Sequence, residues 1–300
     1  MKVKSGSDPA RVVMRRARAA DKTAVLDFCR NTFGRWGDYM PEVWDKWLRD
    51  KSGFFMAAEV GGTPVGVGKI TEQRPGALWL EGLRVDPAWR GLGIGRVIQE
   101  FTWRKAMSLR PEVIRYATGS YNKISQHLGR SKSMRIAAEF DEYEARPLPA
   151  AAARLVRASD GDLGPALRLF ERGVYGRRWH GLMLEGWVAK TFDRAALAEL
   201  IRRRRVHLYI DERGLAGALV HLRSKDKKRF NYCRVAARDP RTFKLVLREG
   251  RRLAASMGAQ KMQMHLPRAL RGKKTVAGTN WRNSISIWMV IMEWKRNRPE

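Results

Sequence analysis

Residues 79–96 read WLEGLRVDPAWRGLGIGR, in which an apolar run is followed by an Asp-Pro turn and a glycine loop led by arginine. Glycine has no Cβ to keep a ligand away from the main chain. The first N–H groups of a helix have no partner inside the helix, and the helix dipole makes that end positive. The pattern therefore predicts a strand, a pyrophosphate-binding loop at residues 90–95, and a helix.

The spacing of the glycines excludes two other nucleotide loops. A dinucleotide fingerprint needs glycine at the sixth place from Gly91, where Arg96 stands. A Walker loop ends in Gly-Lys-Ser/Thr, whereas this loop ends in Gly95-Arg96. The remaining alternative is a tight strand-to-helix turn that needs glycine for its own backbone alone.

The pattern Arg-x-x-Gly-x-Gly after a strand ending in Val-Asp-Pro resembles the acetyl-CoA-binding motif of the GCN5-related N-acetyltransferase (GNAT) superfamily. The resemblance is good over residues 11–145. It implies an α/β (α+β) fold, in which helices flank a mixed, mostly antiparallel central sheet. It also implies acetyl-CoA as cofactor and direct attack of a primary amine on the thioester. The acceptor amine stays open among small molecules, amino acids, peptides and proteins, and LEGLRV (residues 80–85) resembles a subset that acts on free amino acids.

The resemblance also implies which residues bind acetyl-CoA. The main chain near Leu83 pairs with the pantetheine arm in this family, as an added strand would. Asn122 and Ser125 match the Asn-x-x-Ala/Ser helix that lies along that arm. The predicted cofactor-binding residues are Leu83, Arg84, Val85, Arg90, Gly91, Leu92, Gly93, Ile94, Gly95, Arg96, Asn122 and Ser125.

Glu81 is the candidate for the catalytic base or the ammonium-binding group. It lies within an apolar strand, where burial of a carboxylate is costly and raises its pKa. Alternation predicts Trp79, Glu81 and Leu83 on one face of that strand. The alternative is a structural glutamate paired with an arginine.

The residue at the position of the family's general acid differs from the family pattern. The family places a tyrosine seven residues after the asparagine, and Gly129 stands there in this chain. Tyr121 is the candidate substitute, with His127 and water as alternatives. The alternatives without a catalytic role are that Tyr121 is a packed aromatic residue and that His127 is an exposed helix residue.

The chain is predicted to hold two domains, divided where Arg146-Pro147-Leu148-Pro149 precedes four alanines. Residues 1–147 form the catalytic GNAT domain. Residues 148–300 repeat its order of elements as a degenerate GNAT-like domain, because Asp239-Pro240 is followed by Arg-Thr-Phe and not by a glycine loop. An unrelated α+β domain is the alternative. One active site per chain is predicted.

The net charge is +30, and residues 148–300 hold 34 of the 60 Lys and Arg but 13 of the 30 Asp and Glu. Such a field attracts polyanions. A partner such as RNA is one interpretation, and a solvated surface is the other. The alternative function is therefore a non-catalytic acyl-CoA-binding protein whose basic half binds RNA. The basic clusters lie at residues 202–205, 223–229 and 268–274.

Composition limits the remaining classes. Two cysteines and five scattered histidines predict neither a disulfide framework nor a metal site, and a reducing cytoplasm is the simplest location. No apolar run is long enough to span a membrane, and the N-terminus lacks the apolar core of a secretory signal. A monomer or homodimer is expected.

Overall fold

The computed structural model describes residues 2–3, 10–34, 37–149, 152–223, 228–271, 275–284 and 286–296. Two compact units emerge. Unit 1 takes its described residues from Met1–Tyr116, Ile124–Arg135 and Glu293–Glu300, and unit 2 from Ala117–Lys123 and Ile136–Met292. Each unit therefore includes residues from both sides of the expected boundary between residues 147 and 148. That boundary stays a prediction.

Seventeen strands and seven helices account for the regular structure of the described residues. The strands are β1 (Lys2–Val3), β2 (Ala10–Arg11), β3 (Val13–Arg16), β4 (Phe54–Val60), β5 (Thr63–Arg74), β6 (Ala77–Val85), β7 (Val113–Gly119), β8 (Arg135–Ala145), β9 (Val156–Arg157), β10 (Leu182–Glu185), β11 (Val188–Thr191), β12 (Val206–Asp211), β13 (Gly214–Arg223), β14 (Arg229–Ala237), β15 (Lys261–Pro267), β16 (Arg282–Asn283) and β17 (Met289–Lys295). The helices are α1 (Lys22–Cys29), α2 (Met40–Arg49), α3 (Ile94–Ser108), α4 (Lys123–Arg130), α5 (Leu163–Arg172), α6 (Arg194–Arg202) and α7 (Pro240–Ser256).

Unit 1 is built on strands in the order β3-β4-β5-β6-β7. The first three pairs are antiparallel, whereas β6 and β7 run parallel. On one face, α1 and α2 bury a core in which Trp44 and Trp47 pack on Phe55. Helix α3 lies on the other face, close enough that a Cβ on Gly66 would come within 2.6 Å of Ile98 Cδ1.

Unit 2 repeats this order. Its strands lie side by side in the order β8-β15-β14-β13-β12-β9. Strand β14 pairs with β15 in parallel, as β6 does with β7. Each copy opens with the same cap: Asp21 accepts from Arg18 N (2.7 Å) and Asp162 from Ser159 N (2.8 Å). The predicted GNAT-like mixed sheet in two copies is therefore confirmed.

The expected elements agree with the structure where the local pattern is strong. The predicted strand before the glycine loop is β6, and the predicted helix after the loop is α3, which begins at Ile94. The sequence did not predict α2, α6 or the β10–β11 hairpin. Trp44 and Trp47 of α2 are core residues.

Candidate active site

A β-bulge in β6 sets the orientation of the site. Glu81 pairs with Lys69 and Arg84 pairs with Val67, so three steps along β6 match two along β5. The extra residue shifts the alternation by one. Glu81 and Arg84 therefore share a face, and the expectation that Leu83 accompanies Glu81 is wrong. Leu83 is 38% exposed.

Glycine makes the bulge possible. Gly82 has φ +69°, which favours glycine, and a Cβ there would come within 2.5 Å of the Trp47 ring. The bulge therefore packs closely against Trp47 of α2. Glu81 lies on the face of the sheet that α1 and α2 cover.

The Glu81 carboxyl is a candidate base. Burial raises its pKa, while a hydrogen bond from Thr71 Oγ1 (2.5 Å) and the positive charges of Lys69 and Lys46 act in the opposite direction. A glutamate with a raised pKa is suited to accept a proton near neutral pH.

Lys69 is a buried cation next to Glu81 that the sequence analysis missed. Its Nζ donates to the carboxylate of Asp50 and to Ile70 O (2.7 Å). Burial lowers its pKa, and Asp50 restores part of that loss. Lys69 thereby holds a positive charge across the ladder from Glu81.

Arg84 ties β6 to the segment between α1 and α2. Its Nε lies 2.7 Å from Asp38 Oδ2, and the Asp38 side chain is only 1% exposed. The guanidinium lies over the rings of Phe33 and Tyr39, at 4.8 and 5.1 Å from their centroids. Tyr39 in turn contacts Trp47 edge to face at 6.1 Å. The Arg84–Asp38 ion pair and the rings of Phe33 and Tyr39 together form one wall on the face of β6 that carries Glu81.

The predicted cofactor edge of β6 is open toward β7. In the described residues, the β6–β7 ladder ends at Trp79, so residues 80–85 pair with β5 alone. Two carbonyls on this stretch accept from side chains: Leu83 O from Arg84 Nη1 (3.0 Å) and Val85 O from Arg90 Nε (3.3 Å). This stretch therefore has one edge without a neighbouring strand in the described residues, and its pairing with a pantetheine arm stays a prediction.

The glycine loop has the geometry of an anion cradle. Gly91 and Gly93 have φ of +79° and +82°, and a Cβ on either would meet nothing within 4 Å. In the described part of the chain, the N–H groups of residues 91–95 donate to no acceptor. α3 begins immediately beyond, with Gly93 as its cap. Arg90 and Arg96 are exposed on either side of the loop. Leu92, Ile94 and Gly95 complete it, so the residues fit a pyrophosphate.

Of the other predicted residues, Ser125 lies on helix α4, and Tyr121 and Asn122 come directly before it. The carbonyl of Ser125 accepts from Tyr116 Oη (2.6 Å), and burial raises the pKa of Tyr116 to about 12, so this hydroxyl anchors the helix. Tyr121 is 61% exposed. Tyr121 and Asn122 belong to a segment of unit 2, and their roles stay predictions.

The second copy lacks both parts of the site. Counting back five residues from the Asp-Pro pair leads to Glu81 in unit 1 and to Arg234 in unit 2. Arg234 is 2% exposed, and it donates to the carbonyls of Leu182 and Phe170. Helix α7 follows Asp239 directly, and the ring of Phe243 fills its first turn, fully buried.

Comparisons with known proteins agree with this geometry. Residues 23–130 match the model of the acetyltransferase (GNAT) family. A GCN5-related N-acetyltransferase from Sphaerobacter thermophilus has a similar structure, with 15% identity and a TM-score of 0.63 over 96% of each chain. So has a tandem GNAT protein from the clavulanic acid biosynthesis pathway (12%, TM-score 0.58, 97% of this chain and 99% of that chain). A glucosamine N-acetyltransferase region of a fungal multi-domain β-N-acetylglucosaminidase matches 97% of this chain and 39% of its own (12%, TM-score 0.67). A search of curated proteins gave no match to the sequence.

Residues 23–130 therefore belong to the acetyltransferase (GNAT) family, and the chain has a tandem GNAT fold whose second copy lacks the glycine loop. Acyl transfer is the general chemistry that this family and fold support. In the described residues, no helix is long and apolar enough to cross a membrane.

Proposed function

We propose that the chain transfers the acetyl group of acetyl-CoA to a primary amine, at one site per chain, in unit 1. The observation that carries the proposal is the placement on one strand-loop-helix segment of a half-buried carboxyl with a raised pKa, Glu81, and an open glycine cradle. Arg234 and Phe243 at the corresponding places argue against a second site.

Acetyl-CoA, when bound, supplies the activated thioester carbonyl. The N–H groups of residues 91–95 hold the pyrophosphate, and the main chain near Leu83 and Val85 aligns the pantetheine arm. Glu81 binds the acceptor ammonium and takes its first proton, which leaves a neutral amine to attack, and the nitrogen gives its second proton to water once the C–N bond has formed. The C–N bond forms as the C–S bond breaks, and the sulfur leaves with a proton from Tyr121 or water. Tyr121 and Asn122 enter the proposal through the resemblance alone.

The decisive experiment follows free thiol release with acetyl-CoA and a library of amines. Glu81→Gln is expected to lower kcat by about 10²- to 10⁴-fold, because it removes the base and leaves the cradle intact. The Kd for coenzyme A is expected to stay unchanged. Glu42→Gln, an exposed change of the same charge on α2, is the matched control. Unchanged turnover in Glu81→Gln would make Glu81 structural.

A non-catalytic, polyanion-binding protein is the second candidate, and the surface of unit 2 favours it. Six exposed arginines on and around α5 and α6 form no ion pair in the described part of the chain. They are Arg168, Arg172, Arg177, Arg178, Arg194 and Arg204. Parts of the other two basic clusters, residues 224–227 and 272–274, lie outside the described residues. Coenzyme A binding without turnover, together with RNA retention in moderate salt, would favour this candidate.

A further inference from the structure

Thr71 and Glu81 lie on one face of the β5–β6 ladder in unit 1. Glu81 is opposite Lys69 and Thr71 is opposite Trp79, so Thr71 is the diagonal neighbour of Glu81. A long side chain can span that diagonal, and Thr71 Oγ1 donates a hydrogen bond to Glu81 Oε1 at 2.5 Å. Both residues are half-buried, so water competes with this bond less than it would at an exposed position.

A hydroxyl at position 71 fixes a carboxyl group that would otherwise turn. The last torsion of a glutamate side chain is broad, so its neighbours must set the plane of the carboxyl group. Threonine is stiff at χ1, and β5 fixes its main chain, so its hydroxyl lies at a defined place. The bond engages Oε1 of Glu81, and Oε2 is the oxygen that Thr71 leaves available for a substrate.

The charged groups around Glu81 act on it mainly through their fields. They are Lys69 on β5, Lys46 on α2, Asp50 at the end of α2, Tyr39 before α2 and Arg84 on β6. The Nζ of Lys69 is held by Asp50 and by the carbonyl of Ile70, so Lys69 supplies charge to the site. Among the described residues, the bond from Thr71 is the largest influence that lowers the pKa of Glu81.

We propose that Thr71 is a positioning residue of the acetyltransferase site, whose hydroxyl holds the Glu81 carboxyl in the orientation in which Oε2 binds the acceptor ammonium and takes its first proton. The inference rests on the proposed function. Because the bond favours the carboxylate, it extends the working range of the base to lower pH. Because it fixes the carboxyl group, it raises the fraction of time that the base spends in the reactive geometry.

The test removes the hydroxyl and then restores it. Thr71→Val keeps the branched shape that a strand favours and removes the donor. The acid limb of its kcat/KM profile is expected about one pH unit higher, and its kcat on the plateau above that limb about tenfold lower. Thr71→Ser keeps a donor and should stay within about 0.3 pH unit and about threefold of the wild-type protein. Thr71→Ala removes the same donor and serves where Thr71→Val folds poorly.

The fall on the plateau separates positioning from charge. A higher pKa makes a carboxylate a stronger base, so a change of pKa alone predicts a plateau that does not fall. A threonine with a merely structural role predicts an unchanged limb and an unchanged plateau. Thr102→Val is the matched control in unit 1, because the hydroxyl of Thr102 donates to Ile98 O (2.7 Å) within α3, and its loss should leave the profile unchanged.

A second readout needs no turnover. A carboxyl ¹³C NMR titration of the protein alone measures the pKa of Glu81, with Glu81→Gln assigning the resonance. Thr71→Val is expected to raise that pKa by about one unit.

The outcomes separate the two proposals. An unchanged pKa of Glu81 in Thr71→Val would overturn the inference and leave the proposed acetyltransferase intact. So would an equal loss of kcat in Thr71→Val and Thr71→Ser, or a Thr71→Val plateau as high as that of the wild-type protein. If the wild-type protein acetylates no amine, the proposed function itself fails, and the catalytic role of Thr71 fails with it.

Discussion

At the scale of single residues, the site depends on charges that face one another across the β5–β6 ladder. Burial raises the pKa of Glu81, so the neutral carboxyl is more favoured than in an ordinary glutamate. The positive charge of Lys69 lowers that pKa by favouring the carboxylate. Asp50 in turn keeps Lys69 charged. Burial and the hydrogen bond from Thr71 are the largest influences on the pKa of the proposed base, and Lys69 and Asp50 adjust it further without touching the substrate in the proposed chemistry.

Lys69→Met is expected to move the acid limb of the kcat/KM profile upward by about one pH unit. The positive charge of Lys69 lowers the pKa of Glu81, so its removal raises that pKa, and the ionised base is lost at a higher pH. A pH–rate profile with a good amine measures the shift. Lys46→Met is the control, and its shift should be smaller because Lys46 is exposed. A limb that stays in place would mean that Glu81 is not the titrating base.

At the scale of elements, the strand-loop-helix segment combines two glycine requirements. Gly82 is needed for close approach to Trp47, whereas Gly91 and Gly93 have positive φ in open space. No atom of the described residues lies within 4 Å of a Cβ on either loop glycine, so glycine is required there by the backbone conformation and, under the proposed function, by the approach of the pyrophosphate.

Gly93→Ala and Gly61→Ala form a matched pair for this element. Both glycines have positive φ and would place a Cβ in open space, so each variant should lose about 1 kcal/mol of stability. Only Gly93→Ala is expected to weaken coenzyme A binding, by about tenfold, because its Cβ keeps a phosphate from the charge-assisted N–H contacts. Titration calorimetry and thermal unfolding measure the two effects. Equal affinity in both variants would reduce the loop to a tight turn.

At the scale of the whole molecule, unit 1 is built from segments far apart in the chain. The C-terminal residues 293–296 belong to it: Glu293 Oε2 accepts from Arg115 Nε (2.6 Å), and Trp294 packs on Trp103 at 5.9 Å. Both members of the Arg115–Glu293 pair are buried. A fragment that ends at residue 147 would leave Arg115 without that carboxylate.

The fragment 1–147 is therefore expected to unfold without cooperativity or to aggregate, whereas the full chain unfolds cooperatively. In the full chain, Glu293→Gln should cost about 3 kcal/mol in denaturant unfolding, since it leaves a buried cation without its charged partner. The double variant Arg115→Met/Glu293→Leu should recover most of that loss. A stable fragment that binds coenzyme A would support the expected boundary at residue 147 as a true domain limit.

Features that depend on neighbours along the chain could be predicted from the sequence. The glycine loop, the strand before it, the helix after it and the absence of a glycine loop after Asp239 were all visible, because turns, short strands and helix starts are specified within a few residues. Glu81 was visible because a carboxylate stands out in an apolar strand.

The groups that surround Glu81 could not be predicted in this way, because folding brings them together from distant parts of the chain. One extra residue in β6 moves Arg84 to its face, and pairing of β5 brings Lys69 opposite, 12 positions away in sequence. Asp38, Phe33 and Tyr39 arrive from the segment between α1 and α2, and Glu293 joins Arg115 from the end of the chain. Strand register and long-range packing choose these partners, and neither leaves a periodic signal in a single sequence.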